Sequence, residues 1–241
     1  MGRVTVAGGR VGMKKPVTGI LASELSVGSV VKLMEGGSPV EYLVVQQGKP
    51  STAYSESCDG TWLLRKQVTG TGVPFDSDAY LKKFVGSNVY NWIHDTYVNT
   101  LADEALGAIK NVTIPCNTGG ATSCTAFLLS TYELGFIKTS NNYLPEEGAK
   151  LEYFRDAPEG SSGAPMPAYV RRIAYDSAGT AYRWWTRTFC TDSTYGAVGV
   201  GTDGSGSIGS NKQTIWSVRP AVVVDFGTVF NANTLVLEGV G

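Results

Sequence analysis

The residues best suited to chemistry lie in the last quarter of the chain, in two segments rich in tryptophan and arginine. Residues 184–188 (WWTRT) and 216–224 (WSVRPAVVV) have the composition of strands, and the segment between them is rich in glycine and small polar residues. Rigid aromatic rings supply contact area at low entropic cost, so recognition surfaces favour them. The arrangement therefore indicates a ligand surface on a rigid support, and it favours binding over catalysis.

The first of these segments has aromatic rings on both faces if it is a strand, because strand side chains alternate. One face of residues 181–189 then carries Arg183, Trp185, Arg187 and Phe189. The opposite face carries Tyr182, Trp184, Thr186 and Thr188. Two interpretations stay open: one face packs in the core while the other meets a ligand, or other parts of the domain cover both faces.

The second segment alternates cleanly but contains a proline. Pro220 has no amide hydrogen to donate, which predicts an edge position or a bulge. Arg187 and Arg219 are expected to stack on tryptophan or to pair with a carboxylate, and a structural role is favoured for both over ligand contact.

Sequence patterns for cofactor binding and catalysis lack the surrounding residues or elements that they require. Gly199, Gly201 and Gly204 match G-x-G-x-x-G, but no helix is predicted after them to hold a pyrophosphate. Asp203 lacks the further carboxylates of a calcium loop, and the single histidine, His94, excludes metal sites built on imidazole clusters. A Ser-His-Asp triad would have to use His94, and no serine has a nucleophile-elbow pattern. We therefore expect no cofactor, no metal and no enzymatic activity.

Composition limits the remaining classes of partner. The chain has 241 residues and a formal net charge of −1, so electrostatics do not favour nucleic acid or anionic lipid. No apolar run is long enough to span a bilayer, and membrane insertion is not expected. Four cysteines and a polar, glycine-rich start predict reduced thiols.

Local patterns predict the supporting elements. Residues 30–34 and 40–45 read as a hairpin around Gly36-Gly37, and residues 61–65 as a third strand. A four-residue period over 87–101 predicts a helix with Ser87 as its N-cap. Ser130 and Glu133 have capping-box spacing for a second, shorter helix, with Gly135 able to end it.

Further strands are predicted over residues 125–129, 170–175, 181–189, 197–200, 216–225 and 234–237. Residues 145–167 are rich in glycine, proline, serine and glutamate, which is typical of a surface loop. One α+β domain with mostly antiparallel strands and two helices accounts for this order. We assign residues 1–25 to a linker or attachment segment and residues 26–241 to the domain.

Several short pieces occur in the order found in a known group of domains. They are residues 28–32 with 41–45, 88–93, 127–130 with Glu133, 185–188 and 218–221. In these pieces the chain resembles a group of uncharacterised bacterial and phage domains with a C-type-lectin-like fold. The fold is related to that of formylglycine-generating enzymes, and the group includes variable proteins of diversity-generating retroelements. From the first piece to the last they span residues 28–225, which is most of the chain.

The resemblance implies a scaffold whose C-terminal region presents side chains to a ligand. It places Trp185, Arg187, Arg219 and Pro220 in framework positions and the intervening segment on the ligand face. The implied ligand-binding residues are Tyr182, Arg183, Trp184, Thr186, Thr188, Phe189, Asp192, Thr194, Tyr195, Asp203, Ser205 and Asn211.

The resemblance implies a phage- or prophage-encoded receptor-binding protein that is associated with a tail fibre. Its function would be to bind a host cell-surface protein or glycan. Other virion proteins are further partners, a homotrimer is the implied assembly, and the virion or the bacterial cytoplasm before assembly is the implied location. A structural virion component, such as a head decoration or fibre tip, is the alternative. An enzyme of the formylglycine-generating type is disfavoured, because Cys116 and Cys124 do not match its motif.

Overall fold

Short strands make up most of the secondary structure of this protein. The computed structural model describes residues 19–78, 82–116, 120–136, 144–158, 167–190, 196–210 and 213–240. In chain order the strands are β1 (Gly19–Leu21), β2 (Val30–Glu35), β3 (Ser38–Gln47), β4 (Thr61–Arg65), β5 (Thr69–Pro74), β6 (Val112–Cys116), β7 (Gly120–Cys124), β8 (Ala174–Tyr175), β9 (Ala181–Tyr182), β10 (Trp184–Phe189), β11 (Gly196–Val200), β12 (Gly206–Ser210), β13 (Ile215–Val218), β14 (Ala221–Val224), β15 (Thr228–Asn231) and β16 (Leu237–Val240).

The helical segments are short. The longest has 13 residues: it begins as helix α1 (Asn88–Trp92), continues as a π-helical turn (Ile93–Tyr97) and ends as a 3₁₀ turn (Val98–Thr100). Helix α2 is Asp103–Ala108, and further 3₁₀ turns are Ala22–Glu24, Glu56–Cys58, Glu152–Phe154 and Val170–Arg172. In the described ranges, no helix has the length and apolar character needed to cross a membrane.

The predicted α+β, C-type-lectin-like class with two helices is wrong. Of the residues that the structure describes, 41% are in strands and 16% are helical, and these strands form five mainly antiparallel sheets, so the class is mostly β. The expected second helix is a single turn. Its capping box does form, with Ser130 N donating to Glu133 Oε2 over 2.8 Å and Glu133 N to Ser130 Oγ over 3.0 Å. Gly135, at φ +77°, then turns the chain away before a second turn can add hydrogen bonds.

Two sheets carry most of the core, and Pro220 lies where the chain passes between them. The antiparallel four-stranded sheet has the order β14-β4-β3-β2. The five-stranded sheet has the order β12-β11-β10-β13-β5, in which only β10 and β13 are parallel. The strand predicted over 216–225 is therefore two strands in two sheets. Because proline cannot donate to a ladder, Arg219-Pro220 is a suitable place for this break.

Three small sheets complete the fold: β1-β15-β16, β6-β7 and β8-β9. Strand β1 pairs with β15, and Ala22 and Leu25 are buried in the core. Residues 19–25, assigned from the sequence to a linker, therefore pack as part of the domain. Residues 1–18 lie outside the described residues.

Strand β10 is buried along its whole length, because β11 and β13 flank it in the sheet and other core residues cover its faces. Phe75 packs edge-on against both Trp185 and Phe189, at ring-centroid distances of 5.4 and 4.8 Å. Of the two interpretations left open by the alternating pattern, the one in which both faces are covered is correct for residues 184–189, whereas Tyr182 is half-buried and Arg183 is exposed.

A buried ionic network ties β10 to the turn at Ser130. Arg187 donates to Glu133 through Nη1–Oε2 at 2.6 Å and Nη2–Oε1 at 2.8 Å, and its Nε lies 3.3 Å from Glu147 Oε1. Tyr54 and Thr188 complete it by donating to Glu133 and Glu147 over 2.7 and 2.6 Å. Burial acts to lower the pKa of the Arg187 guanidinium, but the charges of Glu133 and Glu147 outweigh it and hold the pKa well above its usual range.

Arg219 stacks on a tryptophan, which is the other of the two structural roles predicted for Arg187 and Arg219. Its guanidinium carbon lies 5.1 Å from the centre of the Trp184 ring, and its Nε donates to the carbonyl of Arg65 over 2.8 Å. Burial lowers the pKa of Arg219 to about 10, so the group stays charged at neutral pH. Arg187 and Arg219 thus both support the core, one by ion pairing and one by stacking.

Candidate functional site

An open groove of about 540 Å³ lies where β5 and β13 meet the segment that joins β9 to β10. This volume lies within the roughly 300–1,000 Å³ of pockets that hold small ligands. Apart from one glycine, the lining residues have aromatic, aliphatic, hydroxyl-bearing or cationic side chains: Thr71, Gly72, Ala181, Tyr182, Arg183, Thr202, Ile215, Trp216 and Ser217. We call this feature the groove.

Sheet pairing brings these distant segments together. Trp184 pairs with Ser217 across the parallel β10–β13 contact, and Ser217 N donates to the carbonyl of Arg183 over 2.9 Å. Arg183 itself lies in the break between β9 and β10, so its side chain escapes the burial of β10 and is exposed. The groove therefore forms at the point where the central strand begins.

The floor of the groove is the indole ring of Trp216, which rests on the buried ring of Trp185. Trp216, 8% exposed, lies against Trp185 with ring centroids 4.2 Å apart and an interplanar angle of 35°. Trp185 is fully buried and donates its indole N–H to the carbonyl of Val73 over 2.8 Å. Gly199 packs under Trp216, since a Cβ there would lie 2.3 Å from the ring. The floor is thus fixed by packing on several sides.

The turn between β11 and β12 adds an anionic group beside the groove. Asp203 Oδ1 accepts from both the amide and the hydroxyl of Ser205, at 3.0 and 2.6 Å. These bonds are the main reason that the pKa of Asp203 is lowered, and the positive charge of Arg183 acts in the same direction. Asp203 is exposed. One carboxylate and one guanidinium thus lie at this end of the groove.

The structure separates the twelve predicted ligand-binding residues into four groups. Two line the groove: Tyr182 and Arg183. Two lie in the neighbouring turn: Asp203 and Ser205. Four are buried: Trp184, Thr186, Thr188 and Phe189. Four lie outside the described residues: Asp192, Thr194, Tyr195 and Asn211.

The four buried residues are corrections to the predicted site. Their side chains contact the core and not solvent, because β10 is an inner strand of the sheet and core residues cover its faces. Thr186 Oγ1 donates to the carbonyl of Val198 over 2.6 Å, and Trp184 Nε1 to that of Arg172 over 3.1 Å. These polar atoms already have partners inside the protein. Trp185, placed in the framework by the resemblance, is buried as that role requires.

Sequence reasoning missed the half of the groove that β5 and β13 contribute. Strand β5 was not predicted, because Thr69-Gly-Thr-Gly72 reads as a loop. Ile215 is 60% exposed, and no local pattern distinguishes it from a buried isoleucine. Trp216 was predicted as part of a strand and was not among the expected ligand-binding residues. It proves to be both nearly buried and part of the groove floor.

The chemically reactive side chains lie elsewhere in the fold. His94 stacks on Tyr90 at 4.2 Å, and burial lowers the pKa of its imidazole. Cys116 and Cys124 lie at opposite ends of the β6–β7 hairpin, facing Gly120 and Val112 in the register. Within the described ranges, no three or more His, Cys, Asp or Glu side chains are grouped so as to hold a metal ion.

The four cysteines are free and buried, so we expect slow alkylation of the native protein. Burial raises the pKa of Cys116 from 9.0 to about 11, which cuts its thiolate fraction at neutral pH about 100-fold. Peptide mapping after brief treatment with N-ethylmaleimide should therefore find little label at Cys116 in buffer and full label at all four thiols in guanidinium chloride. Equal labelling rates under both conditions would contradict the buried placement of this hairpin.

A comparison with protein families finds a match over most of the chain. The model of a family described as a domain of unknown function (DUF6273) matches residues 59–226, which include β4 through β14. All nine residues that line the groove lie within this range, and so do Arg187, Glu133 and Glu147 of the ionic network, whereas Tyr54 lies just before it. No curated protein and no solved structure has a significant match to the chain.

Proposed function

We propose that this chain, which belongs to the DUF6273 family, is a non-enzymatic binding module whose groove holds part of a cell-surface protein or glycan. Its biological setting in this proposal is a phage or prophage particle, on which the module recognises the host cell. The virion setting follows from the resemblance of the short sequence motifs. The binding role follows from the groove itself.

One observation carries the proposal: the guanidinium of Arg183 and the phenol of Tyr182 line the groove beside its packed aromatic floor, and neither has a hydrogen-bond partner in the described residues. The side chains of Arg183 and Tyr182 make no hydrogen bond or ion pair with any other part of the chain that the structure describes. Arginine, tyrosine and tryptophan dominate the energetics of recognition surfaces. Since the floor is already packed, a ligand would lose little affinity to ordering of the protein.

The polar edge of the groove supports a ligand with both donor and acceptor groups. Arg183 offers several N–H donors, and Asp203 offers a carboxylate close enough to feel the charge of Arg183. Thr71 and Thr202 add hydroxyl groups, and exposed Ile215 adds an apolar contact. Glycans and polar protein segments both have this mixture of groups.

Removing the two uncommitted side chains should weaken ligand binding without affecting the fold. We expect Arg183→Ala and Tyr182→Ala each to reduce affinity about 10- to 30-fold, the typical cost of losing a hot-spot residue. The unfolding midpoint should stay unchanged for Arg183→Ala, whose side chain is exposed, and should fall only slightly for Tyr182→Ala, whose half-buried ring packs against the edge of the core. The measurement is binding of the labelled protein to a glycan array and to a panel of intact bacterial cells.

Matched controls come from exposed residues of the same type outside the groove. Arg155→Ala and Tyr175→Ala remove an arginine and a tyrosine from other surfaces. These controls should bind like the unmodified protein. If the groove variants and the controls bind equally well, the groove is not the binding site. Binding of no array glycan and no cell type would leave a structural role in the virion as the better description.

A further inference from the structure

A second, smaller pocket of about 230 Å³ lies between the β2–β3 hairpin, β5 and the 13-residue helical segment. Its lining residues are Glu35, Gly36, Val40, Arg65, Thr69, Trp92, Thr96, Tyr97 and Thr100. None of these residues lines the groove. We call this feature the side pocket.

The bottom of the side pocket is the ion pair of Arg65 and Glu35, in which one N–H donor of Arg65 has no hydrogen-bond partner in the described residues. Arg65 Nε lies 3.1 Å from both carboxylate oxygens of Glu35, and its Nη1 donates to the carbonyls of Gln67 and Val68 over 2.7 and 2.9 Å. Arg65 Nη2 has no partner within the described ranges. The two side chains are only 10% and 8% exposed, so what remains accessible is a small edge of the pair.

Two tyrosines hold the carboxylate in place from behind. The Tyr42 hydroxyl donates to Glu35 Oε1, and it shares a second hydrogen bond with the Tyr97 hydroxyl. Both phenols are buried. Arg65 Nε bonds both carboxylate oxygens, and Tyr42 bonds Oε1 as well, so Glu35 Oε2 is the oxygen that keeps capacity for one more hydrogen bond. The ion pair thus has one N–H donor and one acceptor position left, and its net charge is zero.

One wall of the side pocket is the ring of Trp92. Gly70, at φ +56°, lies directly against this ring, and a Cβ at that position would be 2.5 Å from it. The glycine therefore allows the indole to lie close to β5. The ring is half-buried, which leaves one part of it accessible from the pocket.

The helical segment shapes the opposite side. Thr96 and Tyr97 belong to its π-helical turn, a local widening that occurs often at functional sites. The exposed Thr96 lies on the rim, and Thr100 uses its hydroxyl to bind the carbonyl of Tyr97 over 2.7 Å. The result is a small open pocket with an aromatic wall, a polar floor and hydroxyls at its mouth.

We propose that the side pocket binds a single neutral pyranose unit. One ring hydroxyl accepts from Arg65 Nη2, the neighbouring hydroxyl donates to Glu35 Oε2, and a C–H face of the sugar packs on Trp92, whose ring face carries partial negative charge. The volume is below the range for drug-sized ligands and suits one sugar ring. A charged ligand is disfavoured because the floor has no net charge to offset its desolvation.

This site goes beyond the proposed function, since it depends on none of the residues that line the groove. Only Thr69 and Thr71, two residues apart on β5, bring the two sites near each other in sequence. The side pocket can therefore hold a sugar whether or not the groove binds a cell-surface ligand, and each site can be tested alone.

To test the proposal, the full chain is titrated with a panel of methyl pyranosides, and binding is measured by calorimetry and by saturation-transfer NMR. Thr96→Trp is the principal variant, because it plugs the mouth and leaves the ion pair untouched. We expect at least one pyranoside to bind, and the plug to weaken it about tenfold or more. Arg65→Lys, which keeps the charge but removes Nη2, should weaken it as well.

Two controls locate the effect. Thr52→Trp adds the same side chain at an exposed threonine that lines neither site, and Arg183→Ala alters only the groove. Both should bind the pyranoside like the unmodified protein, and melting curves confirm that each variant is folded. Even if Arg65→Lys fails to fold, Thr96→Trp decides the question.

Three results would overturn the inference. The first is the absence of binding by any pyranoside at millimolar concentration. The second is binding that Thr96→Trp leaves unchanged, or that Arg183→Ala abolishes, since both place the sugar elsewhere. The third is tighter binding of acetate or glycine betaine than of any pyranoside, which would replace the neutral sugar by a charged ligand.

Discussion

Replacing Arg187 by methionine should lower the free energy of unfolding by about 3 to 5 kcal/mol, the usual cost of removing one partner from a buried ion pair. The side chains of Arg187 and Glu133 are fully buried, and that of Glu147 is 3% exposed. Without the guanidinium, two carboxylates would remain in the core next to each other. The carbonyls of Leu128 and Pro115 would also lose the donor that now lies 2.8 and 3.2 Å away. Equilibrium unfolding in urea measures the change.

A matched set of variants separates charge from packing. Arg155→Met removes an arginine whose side chain is 70% exposed, and should change stability by no more than about 0.5 kcal/mol. Adding Glu133→Gln and Glu147→Gln to Arg187→Met should restore part of the loss, because it removes the uncompensated charges. Arg187→Lys should not rescue the protein, since an ammonium cannot bond both oxygens in the same planar geometry. A loss as small as that of Arg155→Met would show that the network contributes little.

Local signals in the sequence predicted those elements whose hydrogen bonds close within a few residues. The β2–β3 hairpin turns at Gly36 and Gly37, which have φ values of +53° and +79° and so need glycine. Ser87 caps the helical segment as expected, with its hydroxyl accepting from Tyr90 N over 3.2 Å. Strand β4 occupies the predicted residues 61–65.

Elements that depend on distant partners could not be predicted in the same way. Strand β5 contains two glycines at positive φ, and it becomes a strand because β13, far along the chain, pairs with it. Residues 125–129 show the opposite case, since they are apolar and extended in pattern but contribute only an isolated bridge between Phe127 and Ala221. Intrinsic preference for a strand is weak, and tertiary pairing overrides it.

The sequence predicted only part of the candidate site, because it does not show which parts of the fold cover a strand. Alternation of side chains shows which residues share a face of β10, but it does not show what covers that face. Tyr182 and Arg183 reach the groove because they precede the buried strand. Thr186 and Thr188, with the same polar character that suggested ligand contact, satisfy their hydroxyls inside the protein.

Replacing Trp185 by alanine should cost about 3 to 5 kcal/mol of stability, as expected for a large buried aromatic side chain. The indole is fully buried, and its N–H bonds the carbonyl of Val73 at 2.8 Å. Its ring packs edge-on against Phe75 at 5.4 Å and lies over Trp216 at 4.2 Å. The change therefore leaves a cavity between β5, β10 and β13 and a carbonyl without its donor. Calorimetric melting and urea unfolding measure the loss.

Trp185→Phe provides a graded comparison, because it keeps an aromatic ring against Trp216 but removes the hydrogen bond to Val73. Its loss should be smaller than that of the alanine variant, and Tyr175→Ala, at an exposed ring, should be close to neutral. A midpoint unmoved by Trp185→Ala would refute its framework role. Since Trp216 rests on Trp185, the alanine variant should also bind a groove ligand more weakly at temperatures where it is fully folded. Unchanged affinity under those conditions would mean that the groove does not need its stacked floor, and recognition would then depend on Tyr182 and Arg183 at the edge alone.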